Sequence, residues 1–291
     1  MTKPNLFLGF ISAIIIIFIW SGFLVFSRGG VNTNLTAYDI AALRFMVAGA
    51  MVLPFCMFWW PGHLPLKAKV LMSLCGPGAV YSMIMYSGLS EASAAYGGVF
   101  SNGSMPLFTL LLVYFIAGDK PHRNQLLGIV MIVCGALLLG VRGMMAGGEN
   151  IALGILLFLI ASAILSVYVF GVRYWDVTPR QALALVTLPS ALLYLPVWYF
   201  FLPSGLAATE LSTVLFQALF QGLGPGFLAV IFFAIAAMHL GPTITSGFSA
   251  VIPATAALLA IPVLGEIPTV TEWVGIVLVS LGLGVMVFKP T

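Results

Sequence analysis

Apolar residues in this chain come in long unbroken runs, separated by short polar punctuation. Ten runs can be marked, at 7–27, 40–60, 69–89, 93–117, 124–142, 151–173, 181–202, 213–238, 243–264 and 270–288. Each is close to the roughly 20 residues that a helix needs to cross a bilayer core of about 30 Å. Their continuous apolarity, without two-residue alternation, favours helices over a barrel. The linkers carry Gly, Pro, Asn and charges, as turns do, and none is long enough for a soluble domain. The pattern predicts an all-α integral membrane protein with ten transmembrane helices. The first run, Phe7 to Ser27 after Lys3, is longer than the roughly 7–15 residues of a signal-peptide core, and no A-x-A site follows. It is expected to remain as the first helix.

Composition agrees. The chain is 62% hydrophobic and 7% charged, against roughly 25% charged residues in soluble domains. Charge distribution adds orientation. Lys3, Lys67, Lys69, Lys120, Arg123, Arg173, Arg180 and Lys289 fall on one set of alternate loops and termini, whereas only Arg28 and Arg142 fall on the other. This asymmetry predicts that both termini are cytoplasmic. The net charge of +3 suggests no nucleic-acid partner. Cys56, Cys75 and Cys134 lie unclustered inside apolar runs and read as structural thiols.

The chain also repeats itself. Pro106, Gly118, Asp119, Pro121, Gly128 and Gly135 recur 147 residues later as Pro253, Gly265, Glu266, Pro268, Gly275 and Gly282. Matches at one offset, without a gap, point to duplication. Earlier helices match more weakly. Gly9, Ser21 and Arg28 align with Gly154, Ser166 and Arg173 at an offset of 145. Thr36, Leu43 and Pro54 align with Thr178, Leu185 and Pro196 at an offset of 142. Two repeats are therefore expected, residues 1–145 and 146–291. Each holds five helices, an odd number, so the second enters the membrane from the opposite side. The repeat is inverted about a pseudo-two-fold axis in the membrane plane.

Within helix 4, Ala94, Gly98, Asn102 and Pro106 recur every four residues, and their partners in helix 9 are Gly241, Thr245, Ser249 and Pro253. Small stripes let membrane helices approach closely, and proline removes a backbone hydrogen bond and can kink a helix. Two readings stand together. Helices 4 and 9 pack tightly, or they form a kinked pair lining a path, with Pro106 and Pro253 as hinges. Gly222, Gly224, Pro225 and Gly226 interrupt helix 8, as a hinge or as a packing point.

The duplicated pattern from Pro106 to Gly135 resembles the EamA-type family of the drug/metabolite transporter superfamily. Trp20-Ser21 in helix 1 and Ala42-Leu43-Arg44-Phe45 in helix 2 add to a resemblance that covers nearly the whole chain. It implies a five-plus-five inverted arrangement and alternating access for small metabolites. It also implies a central cavity among helices 1, 3, 4, 6, 8 and 9, with helices 5 and 10 as scaffold. Within the superfamily the chain is most similar to bacterial exporters of aromatic amino acids, which implies a place in the bacterial inner membrane.

Several residues are candidates for the site. Trp59, Trp60, Trp175, Trp198 and Trp273 lie near helix ends, where an aromatic belt accounts for them, but Trp20 lies well inside a run. Trp20 and Phe23 on helix 1, Tyr81, Ser82 and Met85 on helix 3, and Tyr168 on helix 6 are candidates for lining the cavity, with core packing as the competing account. Asn102 and Ser249 are matched polar positions flanked by Phe100 and Phe248. They contact substrate or bond neighbouring helices. Arg44 lies roughly 7 Å below the outer surface. Snorkelling, or pairing with Asp39 or Glu91, is the cheaper account of it, and steering a substrate carboxylate is the alternative.

No Asp, Glu or His falls mid-span, so transport without proton coupling is expected. An intramembrane enzyme would need a buried nucleophile with a base or clustered metal ligands, and no such arrangement is present. No cofactor, metal or obligatory protein partner is expected. The predicted function is an alternating-access transporter that exports, or facilitates movement of, small amphipathic metabolites, amino acids including aromatic ones. A broad exporter of hydrophobic compounds is the alternative. The expected partners are the small-molecule substrate and the lipid bilayer.

Overall fold

The structure, a computed structural model, describes residues 5–145, 150–240 and 248–287. The helices are α1 (Leu6–Val31), α2 (Ala37–Trp59), α3 (Leu66–Glu91), α4 (Ala94–Ile116) and α5 (Arg123–Met145). They continue with α6 (Ile151–Tyr174), α7 (Pro179–Phe201), α8 (Leu211–Phe233, running on to Leu240), α9 (Ile252–Leu264) and α10 (Val270–Val287). Among the described residues there is no strand, and eight helices, α1 to α8, are long and apolar enough to cross a membrane. The other two are shorter apolar helices. The expected start of helix 9 at 243, with Gly241 and Thr245 of the small stripe, lies outside the described residues. Large apolar side chains point outward: Met57 is 88% exposed and Phe201 80%. Such a surface fits lipid as its solvent. The chain is a multi-pass membrane protein.

Helix ends are set by local chemistry that recurs at the repeat spacing. Thr36 and Thr178 each close a capping box, with Asp39 and Gln181, at the starts of α2 and α7. Each box satisfies backbone donors that the first turn leaves free. Gly118 and Gly265 come after α4 and α9 in the left-handed region, with φ of +76° and +70°. A Cβ is penalised there and glycine is not.

Packing repeats as well. A Cβ on Gly9 would stand 2.7 Å from Leu240 at the end of α8, and one on Gly154 would stand 2.7 Å from Ala92 just past α3. The Ser21 hydroxyl donates to the Ile252 carbonyl at 3.5 Å, and Ser166 donates to the Met105 carbonyl at 3.0 Å. Each acceptor precedes a repeat proline, Pro253 or Pro106. Thus α1 packs on α8 and α9, while α6 packs on α3 and α4. The α5–α10 crossing is reciprocal. A Cβ on Gly135 would meet the Gly275 carbonyl at 2.7 Å, and one on Gly275 would meet the Gly135 carbonyl at 2.8 Å. Gly128 and Gly282 meet in the same way, at 2.5 and 2.7 Å. The two helices therefore run antiparallel, and each glycine faces the mate of the other, as a two-fold relation requires. Gly49 of α2 and Ala191 of α7, 142 residues apart, also meet: a Cβ on Gly49 would stand 2.7 Å from that of Ala191.

Two expectations are corrected. A continuous helix over 69–89 gives way to segments Leu66–Cys75 and Ala79–Glu91. The break is Gly76-Pro77-Gly78, where proline lacks the N–H that a continuing helix needs. Its counterpart is Gly224-Pro225-Gly226, 148 residues on, where α8 opens into the wide turn Gly224–Leu228. In α4 a wide π turn spans Gly98–Gly103. The extra residue in such a turn rotates the remainder of the helix by about 100°. Ala94 and Gly98 therefore do not share one stripe with Asn102 and Pro106. Gly98 keeps the close approach to α9, since a Cβ there would stand 3.0 Å from Pro253 Cα.

Candidate functional site

The two Gly-Pro-Gly breaks border one cavity. It is lined by Pro77 of α3, Pro225 and Gly226 of α8, Arg44 and Phe45 of α2, Val186 and Thr187 of α7, and Tyr168 of α6, among others, and holds about 20 Å³. That is room for about one water. Repeat partners confront each other here and differ in chemistry. Arg44 is matched by Val186 at the offset of 142, and Tyr168 at 145 by Phe23, which packs on Arg44 from the core outside the lining. A cationic wall thus stands against an apolar one.

Arg44 is 3% exposed. Its guanidinium lies 5.7 Å from the Phe23 ring centre and 5.6 Å from that of Phe45, within reach of cation–π attraction. Its Nε is buried without a hydrogen bond, and no ion pair among the described residues includes it. It neither snorkels nor pairs with Asp39 or Glu91. The reason is that Asp39 is already engaged. Trp198 Nε1 donates to its Oδ1 at 3.0 Å, and the amides of Gly205 and Thr36 donate to its Oδ2 at 2.8 and 2.9 Å. Trp198 is accordingly buried at this post, where the sequence suggested a lipid belt. Glu91 lies at the end of α3 and lines a separate cleft.

Phe23, Tyr81, Ser82 and Met85 are buried in the core. The Tyr81 and Ser82 hydroxyls make no hydrogen bond of good geometry, although Ser101 and Arg44 stand close to Tyr81. Trp20 is half-buried and meets Phe23 edge-on at 6.0 Å. Tyr168 lines the cavity. Asn102 is half-buried, with its amide nitrogen unpartnered. Phe100 stacks on Tyr96 at 6.1 Å, and Phe248 meets Phe10 edge-on at 6.0 Å; neither lines the central cavity. Ser249 opens the tight turn Ser249–Val251, and its side chain lies outside the described part. Among the expected hinges, Pro225 lines the cavity with Gly224 beside it. Pro253 sits at the α4–α9 contact, and Pro106 comes directly after the carbonyl that Ser166 holds.

Sequence reasoning missed Tyr86, Gln217 and Gln221. Tyr86 stands near Arg44 and donates to Gln221 Oε1 at 3.3 Å. Gln221 donates to the Ser27 hydroxyl at 2.9 Å, and Gln217 to the Phe26 carbonyl at 2.7 Å. The signal was present as two glutamines one turn apart in an apolar run, since membrane helices bury such residues against partners. The chain of amides and hydroxyls ends beside Arg28. There Arg28 Nε pairs with Glu266 at 2.9 Å, and Arg28 Nη1 donates to the Leu89 and Ser90 carbonyls. Glu266 also accepts from the Ala94 amide at 3.1 Å. This tie draws α1, α3, α4 and the α9–α10 link together. A cleft of about 450 Å³ adjoins it, lined by Arg28, Glu91, Tyr96, Arg142, Glu266 and Glu272 among others. Among the described residues, no cluster of His, Cys, Asp or Glu is placed to hold a metal.

Apolar helices with paired breaks around a buried polar centre make up a membrane transport protein. The sequence model of the EamA-like transporter family matches residues 7–141 and again 152–288, and the chain belongs to this family. Similar proteins include the uncharacterized transporter YwfM of Bacillus subtilis (strain 168), 26% identical over 266 residues, covering 88% of this chain and 86% of the relative. The uncharacterized transporter YetK of the same organism is 25% identical over 267 residues, covering 86% of this chain and 78% of its own. A crystal structure at 21% identity superposes with a TM-score of 0.66 over 95% of both chains, a likeness of fold.

Proposed function

We propose that the protein is an alternating-access carrier of small amphipathic metabolites, with amino acids, including aromatic ones, as its substrates. The unlike walls of the centre carry this reading. Arg44 in the lining offers a charge, with the buried Tyr81 and Ser82 hydroxyls outside the lining as further polar groups, whereas Phe45, Val186 and Tyr168 offer apolar and aromatic surface. A molecule with one polar and one apolar end satisfies both. An opened state, in this reading, brings Trp20, Phe23 and Met85 to the aromatic and adaptable part of this surface, with Asn102 as a further polar contact and Ser249 as its repeat partner.

In this reading, residues 1–145 and 146–291 are inverted repeats of five spans each, and both termini are cytoplasmic by the Lys and Arg distribution. The repeats rock against one another. The Gly-Pro-Gly breaks let the halves of α3 and α8 swing, and the Arg28–Glu266 tie holds the outer side shut. The membrane is the bacterial plasma membrane, with export or facilitated exchange as the direction of use. Counterflow of labelled amino acids into proteoliposomes, screened over the common set with hydrophobic cations as competitors, tests the proposal. Aromatic amino acids should accumulate transiently and resist that competition. A screen in which no amino acid moves, while hydrophobic cations do, overturns it.

A further inference from the structure

We infer that the transported molecule carries one negative charge, of carboxylate type, and that Arg44 is the residue that pairs with it. The inference rests on the carrier reading above and names what its central site recognises. Arginine cannot shed its proton in a protein, and a buried charge is retained only where something compensates it. Around Arg44 the aromatic faces of Phe23 and Phe45 and the neighbouring Tyr86 hydroxyl compensate in part. Among the described residues no carboxylate pairs with it, and its Nε makes no hydrogen bond. Arg44 nevertheless lines a cavity at the meeting of the two helix breaks. Such a group is one half of an ion pair whose other half arrives with the ligand. The Tyr81 and Ser82 hydroxyls, buried and unpaired nearby, are further donors for an anionic oxygen.

The charge count selects the class of anion. Among the described residues no other charged side chain lines the cavity, so a carboxylate is neutralised one to one, and the ammonium of an amino acid must be met by carbonyl or hydroxyl oxygens. A phosphate ester would leave excess negative charge buried. Phe45, Val186 and Tyr168 complete the lining with apolar and aromatic surface, which suits a carboxylate on a hydrophobic frame. The cavity, at about 20 Å³, must widen before such a molecule enters. The glycines beside Pro77 and Pro225 stand where that widening starts.

The test uses the full chain in proteoliposomes and four labelled probes: phenylalanine, its carboxamide, phenethylamine and phenylacetate. The wild-type protein should move phenylalanine about tenfold or more faster than the carboxamide, a ratio in keeping with loss of a buried charge pair. Arg44→Gln should abolish that preference, and Arg44→Lys should retain part of it. If phenylacetate moves, phenylalanine does not, and Arg44→Gln stops the flux, the anion site stands and the amino-acid reading falls. If phenylalanine moves but the acid-to-amide ratio is the same in wild type and Arg44→Gln, the amino-acid reading stands and the anion site falls. Should Arg44→Gln fail to fold, the wild-type ratio decides, because equal flux of acid and amide overturns the inference on its own.

Discussion

Gly118 and Gly265 are single residues required by their backbones. Both sit at positive φ, and a Cβ at either would meet nothing within 4 Å. Substitution therefore tests conformation alone. Gly118→Ala and Gly265→Ala are each expected to destabilise by about 1–2 kcal/mol, seen as a lowered thermal midpoint in detergent with transport retained. An unchanged midpoint would show that the turn does not account for these glycines. Their importance was legible, because a repeat exposes positions that chain geometry constrains twice. Arg44 was legible only as a charge inside a span. Its nearest acid in sequence, Asp39, looked like a partner. That carboxylate is instead occupied by Thr36, Trp198 and Gly205, and the last two come from a part of the chain over 150 residues away. Trp198 was misassigned to the lipid boundary for the same reason, since depth along a helix does not say which way a side chain faces.

At the level of elements, the α5–α10 pair is held by close backbone approach. At Gly275 the obstacle to a side chain is the Gly135 carbonyl, 2.8 Å from the Cβ position. Backbone cannot move aside as a flexible side chain can. Gly275→Val should therefore destabilise the protein by about 1–3 kcal/mol through overpacking. Gly284→Val, on the same helix but with nothing within 4 Å of its Cβ, should be tolerated, and thermal melts of the two variants side by side check the contrast. Runs and the scaffold glycines were readable because each depends on a short stretch of chain. The interruption of α3 was readable too, as a second Gly-Pro-Gly, but it matches at an offset of 148 and not at those of its neighbours. The four-residue stripe in α4 misled because a π turn at Gly98–Gly103 changes the register, and nothing in residue spacing reports such a turn.

For the whole molecule, the proposed carrier cycle makes the Arg28–Glu266 tie the contact that holds one face shut. Arg28 and Glu266 join the beginning of the chain to its end, and their side chains are only 19% and 22% exposed. An ion pair of this exposure contributes about 1 kcal/mol, which corresponds to roughly a fivefold change in population. Glu266→Gln should therefore speed labelling of a cysteine placed at Ser27 by a membrane-impermeant thiol reagent. The measurement needs a background in which Cys56, Cys75 and Cys134 are replaced. By the repeat alignment, Arg173 and Asp119 are the counterparts of Arg28 and Glu266, so Asp119→Asn should slow the same labelling. Equal labelling in all three proteins would sink the gating role. From residue order alone came the apolar helices and the two matching halves, because length of run and spacing are read directly along the chain. Facing was settled only by the tertiary structure: Arg44 toward the centre, Gln221 between Tyr86 and Ser27, Phe100 and Phe248 away from the cavity. In water an amphipathic stripe marks the inner face of a helix. In lipid both faces are apolar, so the side that meets the substrate is decided by which distant helices pack against it.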